Sequence, residues 1–303
     1  MPNTLVHLGA QGVLSRVFFR SPDFKWIFLG LLIPDLPWIL QRVFRLLPAC
    51  PDRYALALYS LVQSSLFFGL LLAAAIALLD ERPWRTWRLL GFNVLLHLLL
   101  DASEYKGGNG VHLLAPFGWK LLDFGFVEPE GRWMLALTLF GLVYSLMAFP
   151  AGARRPPPPL PRRLGRWAGA GALLGLYLLL PFALRKGPET ENAFSIATLR
   201  NAEARTGRAA AFDRAVYLPG DDGGRLRLFS GEEVRAEGLG LTARRLVSAE
   251  GVFLAPDRFQ VETFVVHTPH YRDAATGLGL AIGAAMWLYA FLKHRGRAPQ
   301  AES

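Results

Sequence analysis

His97 and Asp101 stand four residues apart in an otherwise apolar stretch, within residues 87–119. On a helix that spacing places both side chains on one face, one turn from each other. An imidazole and a carboxylate so arranged can offer two ligands to a divalent metal, or can form a hydrogen-bonded pair that locks two helices. Asp35 is a third candidate: it lies between Pro34 and Pro37 in an apolar run. Proline frees backbone carbonyls and bends a helix, and a carboxylate beside it must face a partner, a cation or water. Arg42 and Arg45, further along the same run, are its alternative, structural partners. His7 lies near the start of the chain, where an interfacial or capping role competes with that of a ligand. His112 is a weaker ligand candidate in a glycine-rich loop, and His267 and His270 are a weak pair without an obvious third ligand.

The elements that position these residues are apolar. The 303-residue chain is 52% hydrophobic, with a mean hydropathy of +0.27, and these values point to an α-helical integral membrane protein. Its net charge of +9 lies largely in short loops beside apolar segments, where it reads as a topology signal rather than a nucleic-acid site. A single cysteine, Cys50, excludes an internal disulfide and a multi-cysteine zinc site. No cleavable signal peptide is evident.

Residues 4–19 read as a short helix, 24–46 as a span broken at Pro34, and 55–79 as a clear span. The basic, tryptophan-bearing loop 81–88 precedes the His97 helix, and 102–132 read as a long loop folding back over the site. Residues 133–149 return. The stretch 153–166 carries five arginines around a proline run and reads as a cytoplasmic linker. Residues 167–184 and 274–292 complete about seven spans, with the N-terminus outside and the C-terminus inside. Arg42 and Arg45, at the outer end of their span, run against that charge rule. The domain reading is thus a helical membrane domain at 1–150, a linker at 151–166, a helix at 167–184, an outer insert at 185–273, and a last helix with a basic tail at 274–303. Within the insert, strand-like segments at 211–218, 224–230, 232–237, 245–254 and 258–267 fit a small OB-like barrel. Its arginines alternate with acidic residues and read as a solvated face, so nucleic acid is set aside and a protein partner is the open alternative.

In order, the chain presents His7, a G-x-x-x-P-D segment from Gly30 to Asp35, an H-x-x-x-D helix with His97 and Asp101, and a G-x-x-L-L-x-P-F loop from Gly110 to Phe117. This ordered set, over roughly residues 1–150, resembles bacterial inner-membrane proteins known as membrane-bound metal-dependent hydrolases, the YdjM-like or DUF457 group. Val127-Glu128-Pro129 resembles that group's Asp-Pro element, with Glu in place of Asp. One element departs: where the group carries H-R-G-x-x-H-S, this chain has Tyr54 and Tyr59 in place of the histidines.

The resemblance implies one divalent metal held by His7, Asp35, His97 and Asp101, with zinc first and manganese or magnesium as alternatives. Asp35, His97 and Asp101 are then the catalytic candidates. The metal would acidify a water and polarise an ester or phosphoester, and the bilayer location points to a lipid-linked or amphiphilic substrate at the outer face. The rival reading is a non-catalytic membrane scaffold with a degenerate site and a partner on the barrel.

Overall fold

The computed structural model describes residues 2–46, 52–104, 110–128, 130–158, 161–220, 224–268 and 270–295. Cys50, Pro129 and the basic tail beyond Arg295 lie outside the described residues. The chain is a helical body joined to one small barrel. The body comprises α1 (Thr4–Phe18), α2 (Phe24–Leu32), α3 (Leu36–Arg45), α4 (Arg53–Gln63), α5 (Leu66–Ala77), α6 (Pro83–Ser103), α7 (Arg132–Arg154), α8 (Leu164–Leu184) and α11 (Tyr271–His294). Between α8 and α11 come two short helices, α9 (Lys186–Thr190) and α10 (Ile196–Arg200), and then the strands.

Three helices, α7, α8 (continued through α9) and α11, are long and apolar enough to cross a membrane. They leave large apolar side chains such as Trp133, Leu139, Leu179 and Phe291 exposed, as a surface facing lipid does. The α2–α3 pair, bent by 54°, and the α4–α5 pair, bent by 68°, raise the number to five if each is one span. The seven spans expected from the sequence are therefore not reached. At 15 residues, α1 is about 22 Å long against a hydrocarbon core of about 30 Å. Helix α6 has the length but carries Arg85, Arg88, Asn93, His97 and Asp101.

Both bends have local causes. Pro34 lies in the turn between α2 and α3, and Pro37 stands in the first turn of α3. Ser64 and Ser65 interrupt what reads as one apolar run: Ser64 ends α4, and Ser65 takes an extended backbone (φ −72, ψ 163) before α5.

The first turns of helix α1 are held inside the body, while Val13, Val17 and Phe18 towards its end are exposed. Asn3 caps its start by accepting from the Val6 N–H, and its amide donates to Thr138 on α7 at 2.7 Å. The α1–α7 crossing is tight because Gly141 has no side chain; a Cβ there would fall on the Leu5 carbonyl. Gly30 does the same for α2 against α6, since a Cβ would come within 2.7 Å of Asn93 Cβ. This close approach brings the α2–α3 turn, with Asp35, up to His97.

The barrel closes as β1 (Ala209–Leu218), β2 (Gly224–Arg227), β3 (Glu233–Glu237), β5 (Arg258–His267) and β4 (Arg245–Ala255), with only β3 and β5 parallel. This five-stranded closed topology matches the OB-like expectation. Alternate residues point inward, and the core is built on Phe212, Leu226, Val234, Val247, Phe253 and Phe259. Outside, arginines pair with acids as expected: Arg227 with Glu233 at 2.7 Å and Arg258 with Glu237 at 2.7 Å.

Candidate metal centre

Four sequence candidates meet in one place. Helix α1 contributes His7, the α2–α3 turn Asp35, and α6 both His97 and Asp101. The two imidazole rings stack with centroids 4.0 Å apart and planes 8° from parallel. His7 Nε2 lies 3.4 Å from Asp101 Oδ1, and His97 Nε2 lies 3.6 Å from both Asp101 Oδ2 and Asp35 Oδ1. His7, His97 and Asp101 each offer one ligand atom within 4.8 Å of the others. Asp35 joins the group through His97 and is the more open carboxylate, its side chain 22% exposed against 4% for Asp101.

These separations are too long for good hydrogen bonds. They do match the edge of a coordination shell: ligands bound at about 2.0–2.1 Å in a tetrahedron lie roughly 3.3 Å apart. His7 Nε2 and both ring nitrogens of His97 are buried without a hydrogen-bond partner. Buried polar atoms seldom lack partners, because the loss of water costs free energy. A divalent cation would satisfy His7 Nε2 and one ring nitrogen of His97 and balance the two carboxylates, so the residues fit a metal.

Gln11, one turn beyond His7, was not singled out in the sequence, although H-x-x-x-Q has the same one-face spacing as H-x-x-x-D. Its side-chain amide lies 3.2 Å from His7 Nδ1. Turned so that its Oε1, otherwise without a partner, faces Nδ1, it would accept an Nδ1–H and leave Nε2 free to bind metal.

The two tyrosines do not join the cluster. Tyr54 OH donates to Glu232 on the barrel at 3.1 Å, and Tyr59 OH donates to the Leu178 carbonyl of α8 at 2.8 Å. His270 sits at the start of α11 with φ +66. His267 belongs to a different group: Nε2 is 2.8 Å from Ser248 Oγ and Nδ1 3.1 Å from Glu130 Oε1. Ser248 Oγ also donates to Asp213 and accepts from the Arg214 N–H. It is thereby engaged on every side, and the group reads as a joint between the barrel and the start of α7. Burial pushes the His267 pKa down. Burial would raise that of Glu130, but its hydrogen bonds from Thr268 and His267 hold it below the ordinary value.

Asp101 also lines a cavity of about 370 Å³ between the helical body and the barrel. Its walls include Pro34, Trp38, Arg42 and Arg45 from the α2–α3 region, and Leu61 from α4. Gly110 to His112 of the loop, Asp213 and Arg214 of β1, and Arg272 of α11 complete them. The long loop thus reaches the site, as expected. His112 Nδ1–H donates to the Trp119 carbonyl at 2.8 Å, which leaves Nε2 with its lone pair. Burial pushes the His112 pKa below its ordinary value.

No protein-family profile, curated protein or solved structure matches this chain.

Proposed function

We propose that this chain is a membrane-embedded, metal-dependent hydrolase of the YdjM-like kind, acting on an ester or phosphoester of an amphiphilic substrate. The observation that carries the reading is the convergence of His7, His97 and Asp101 inside the helical body, with ring nitrogens that lack hydrogen-bond partners. Two imidazoles and up to two carboxylates favour zinc, with manganese or magnesium as alternatives. A divalent cation bound there supplies Lewis acidity to water and to the substrate oxygen. The protein groups have distinct tasks. His7, His97 and Asp101 would hold the ion, Asp35 would add a carboxylate from the open side, and Gln11 would set the His7 tautomer. His112, with Nδ1–H pinned by a carbonyl, presents Nε2 to accept or return a proton at the cavity wall.

A location in a bacterial inner membrane, with the barrel outside, is supported by charge. Arg154, Arg155, Arg163, Arg166 and Lys293 gather at helix ends away from the barrel. There Arg166 bonds the Asp80 carbonyl and His294 bonds that of Arg154. The N-terminus lies at the barrel end, through the bond from Asn3 to Thr138, which Tyr271 shares.

The second reading, a non-catalytic scaffold, is favoured by Tyr54 and Tyr59, which serve packing rather than the cluster. Elemental analysis of purified wild type and of His97→Ala/Asp101→Ala separates the two. About one metal per chain, lost in the double variant, supports the hydrolase. No metal after reconstitution with zinc or manganese leaves the scaffold.

A further inference from the structure

We propose that the cavity between barrel and helices receives a phosphoryl group carried on an apolar chain, its anionic end held by Arg42, Arg214 and Arg272. The assignment rests on the hydrolase reading in placing the scissile bond beside Asp101, and on the cavity's own walls for everything else.

Five arginines and two aspartates line the cavity, together with apolar Trp38, Leu61, Leu98 and Phe229. Arg214 reaches it through a distortion of the barrel. The β1–β4 register shifts between Phe212 and Ala215, and Arg214 adopts φ +53, a region that long side chains rarely occupy. Bulges re-aim side chains and are frequent beside active sites. This one is held by the Arg214 N–H donating to Ser248 Oγ at 3.1 Å and by Ser248 Oγ donating to Asp213 at 2.8 Å. Residues held in such conformations cluster at functional sites.

The bulge sets Arg214 near another cation. Burial and then the Arg272 guanidinium push the Arg214 pKa down, against the pull of Asp213, Glu130 and Asp273. Glu130 takes one edge of Arg214 at 3.2 Å. Among the described residues, Arg42 and Arg272 have no ion-pair partner. Guanidinium groups facing one cavity repel unless an anion lies between them, and their forked donors match the oxygens of a phosphoryl group. The apolar wall gives the rest of the same ligand a dry surface. A neutral ester would leave Arg42 and Arg272 without an anion, and a small free anion would leave the apolar wall uncovered.

The test uses the full chain in maltoside micelles, titrated calorimetrically with dihexanoyl phosphatidate, dihexanoyl phosphatidylcholine and inorganic phosphate, with metal content read on the same samples. Phosphatidate should bind at one site, at least about tenfold tighter than phosphatidylcholine, whose choline cation opposes the arginines. Arg42→Gln and Arg272→Gln should each weaken phosphatidate about tenfold, the loss of one charge-assisted hydrogen bond, with metal content unchanged as the control for folding. Phosphatidylcholine binding as tightly, or variants within about twofold of wild type, would overturn the proposal. Phosphate binding as tightly as phosphatidate would overturn its apolar half. Arginine-dependent phosphatidate binding by a chain that takes up no metal supports this site and removes the hydrolase reading. Metal uptake without phosphatidate binding does the reverse.

Discussion

Replacing Gln11 with leucine should weaken metal binding tenfold to a hundredfold without touching a ligand. Gln11 and His7 are 0% and 1% exposed, and the Gln11 amide lies 3.2 Å from His7 Nδ1. A histidine that binds metal through Nε2 must carry its proton on Nδ1, and that proton needs an acceptor. Leucine has nearly the same volume and offers none, so the bound form would bury an unanswered N–H, at a cost of about 1–3 kcal/mol. Loss of such an outer partner typically lowers metal affinity about 10–100-fold, or roughly 1.4–2.7 kcal/mol. Glutamate at the same place accepts only, so Gln11→Glu should keep affinity near wild type. The assay is competition for zinc against a chromophoric chelator, run on wild type, Gln11→Leu and Gln11→Glu. A Gln11→Leu affinity within about twofold of wild type would refute the tautomer argument. Equal losses in both variants would mean that Gln11 merely packs.

Three further outcomes follow from the geometry. Gly30→Ala puts a methyl within 2.7 Å of Asn93 Cβ and 3.1 Å of the Leu90 carbonyl. It should cost about 1–3 kcal/mol in thermal unfolding and lower metal occupancy by moving Asp35 away from His97. Tyr59→His should leave the metal stoichiometry at that of wild type, because the side chain bonds to Leu178 on α8; a second equivalent in elemental analysis would contradict this. The barrel joint should loosen in acid. Glu130 and His267 both have folded pKa values below their ordinary ones, so the unfolded state binds more protons as pH falls. Stability from His267 is lost as pH falls below about 6.5, and that from Glu130 as pH falls below about 4.3. The protection of β4 and β5 amides, corrected for the pH dependence of intrinsic exchange, should fall between neutral pH and about pH 3, and Glu130→Gln should remove the lower step.

The cluster was legible because its signals are local. His97 and Asp101 share a helix face, and Pro34-Asp35-Leu36-Pro37 announces a break with a carboxylate in it. The barrel was legible for a similar reason, since alternating strands and turn residues mark themselves; the observed strands differ from the expected ones mainly at their ends. What escaped depends on contacts distant in the chain. The Ser64-Ser65 break hid inside an apolar run, where two small polar residues read as tolerated in a span. Gln11 carries meaning only once α1 packs beside α6. Arg214 looked like one more charge on a solvated strand, and its bulge arises from the pairing of β1 with β4, which no window of β1 contains. Tyr54 and Tyr59 were read for the metal they cannot bind, while their hydroxyls tie α4 to the barrel and to α8.

The polarity of α1 and α6 has one physical explanation that also accounts for the missing spans. A charged side chain at the bilayer centre costs about 2.5–3.5 kcal/mol or more, and an unpaired polar one is costly too, so His7, Gln11, Ser15, Asn93, His97 and Asp101 together would be prohibitive on helices facing hydrocarbon. All six are buried against protein, with Ser15 and Asn93 bonded to each other at 3.0–3.2 Å. The helices long and apolar enough to cross a membrane are α7, α8 and α11. A helix whose polar face is so covered need not be apolar all round or 20 residues long. The cluster meets the cavity beneath the barrel through Asp101. A substrate that reaches Asp101 by that route passes the arginines and β1 of the barrel. The barrel, absent from the part of the chain that carries the metal ligands, would therefore choose what those ligands act on.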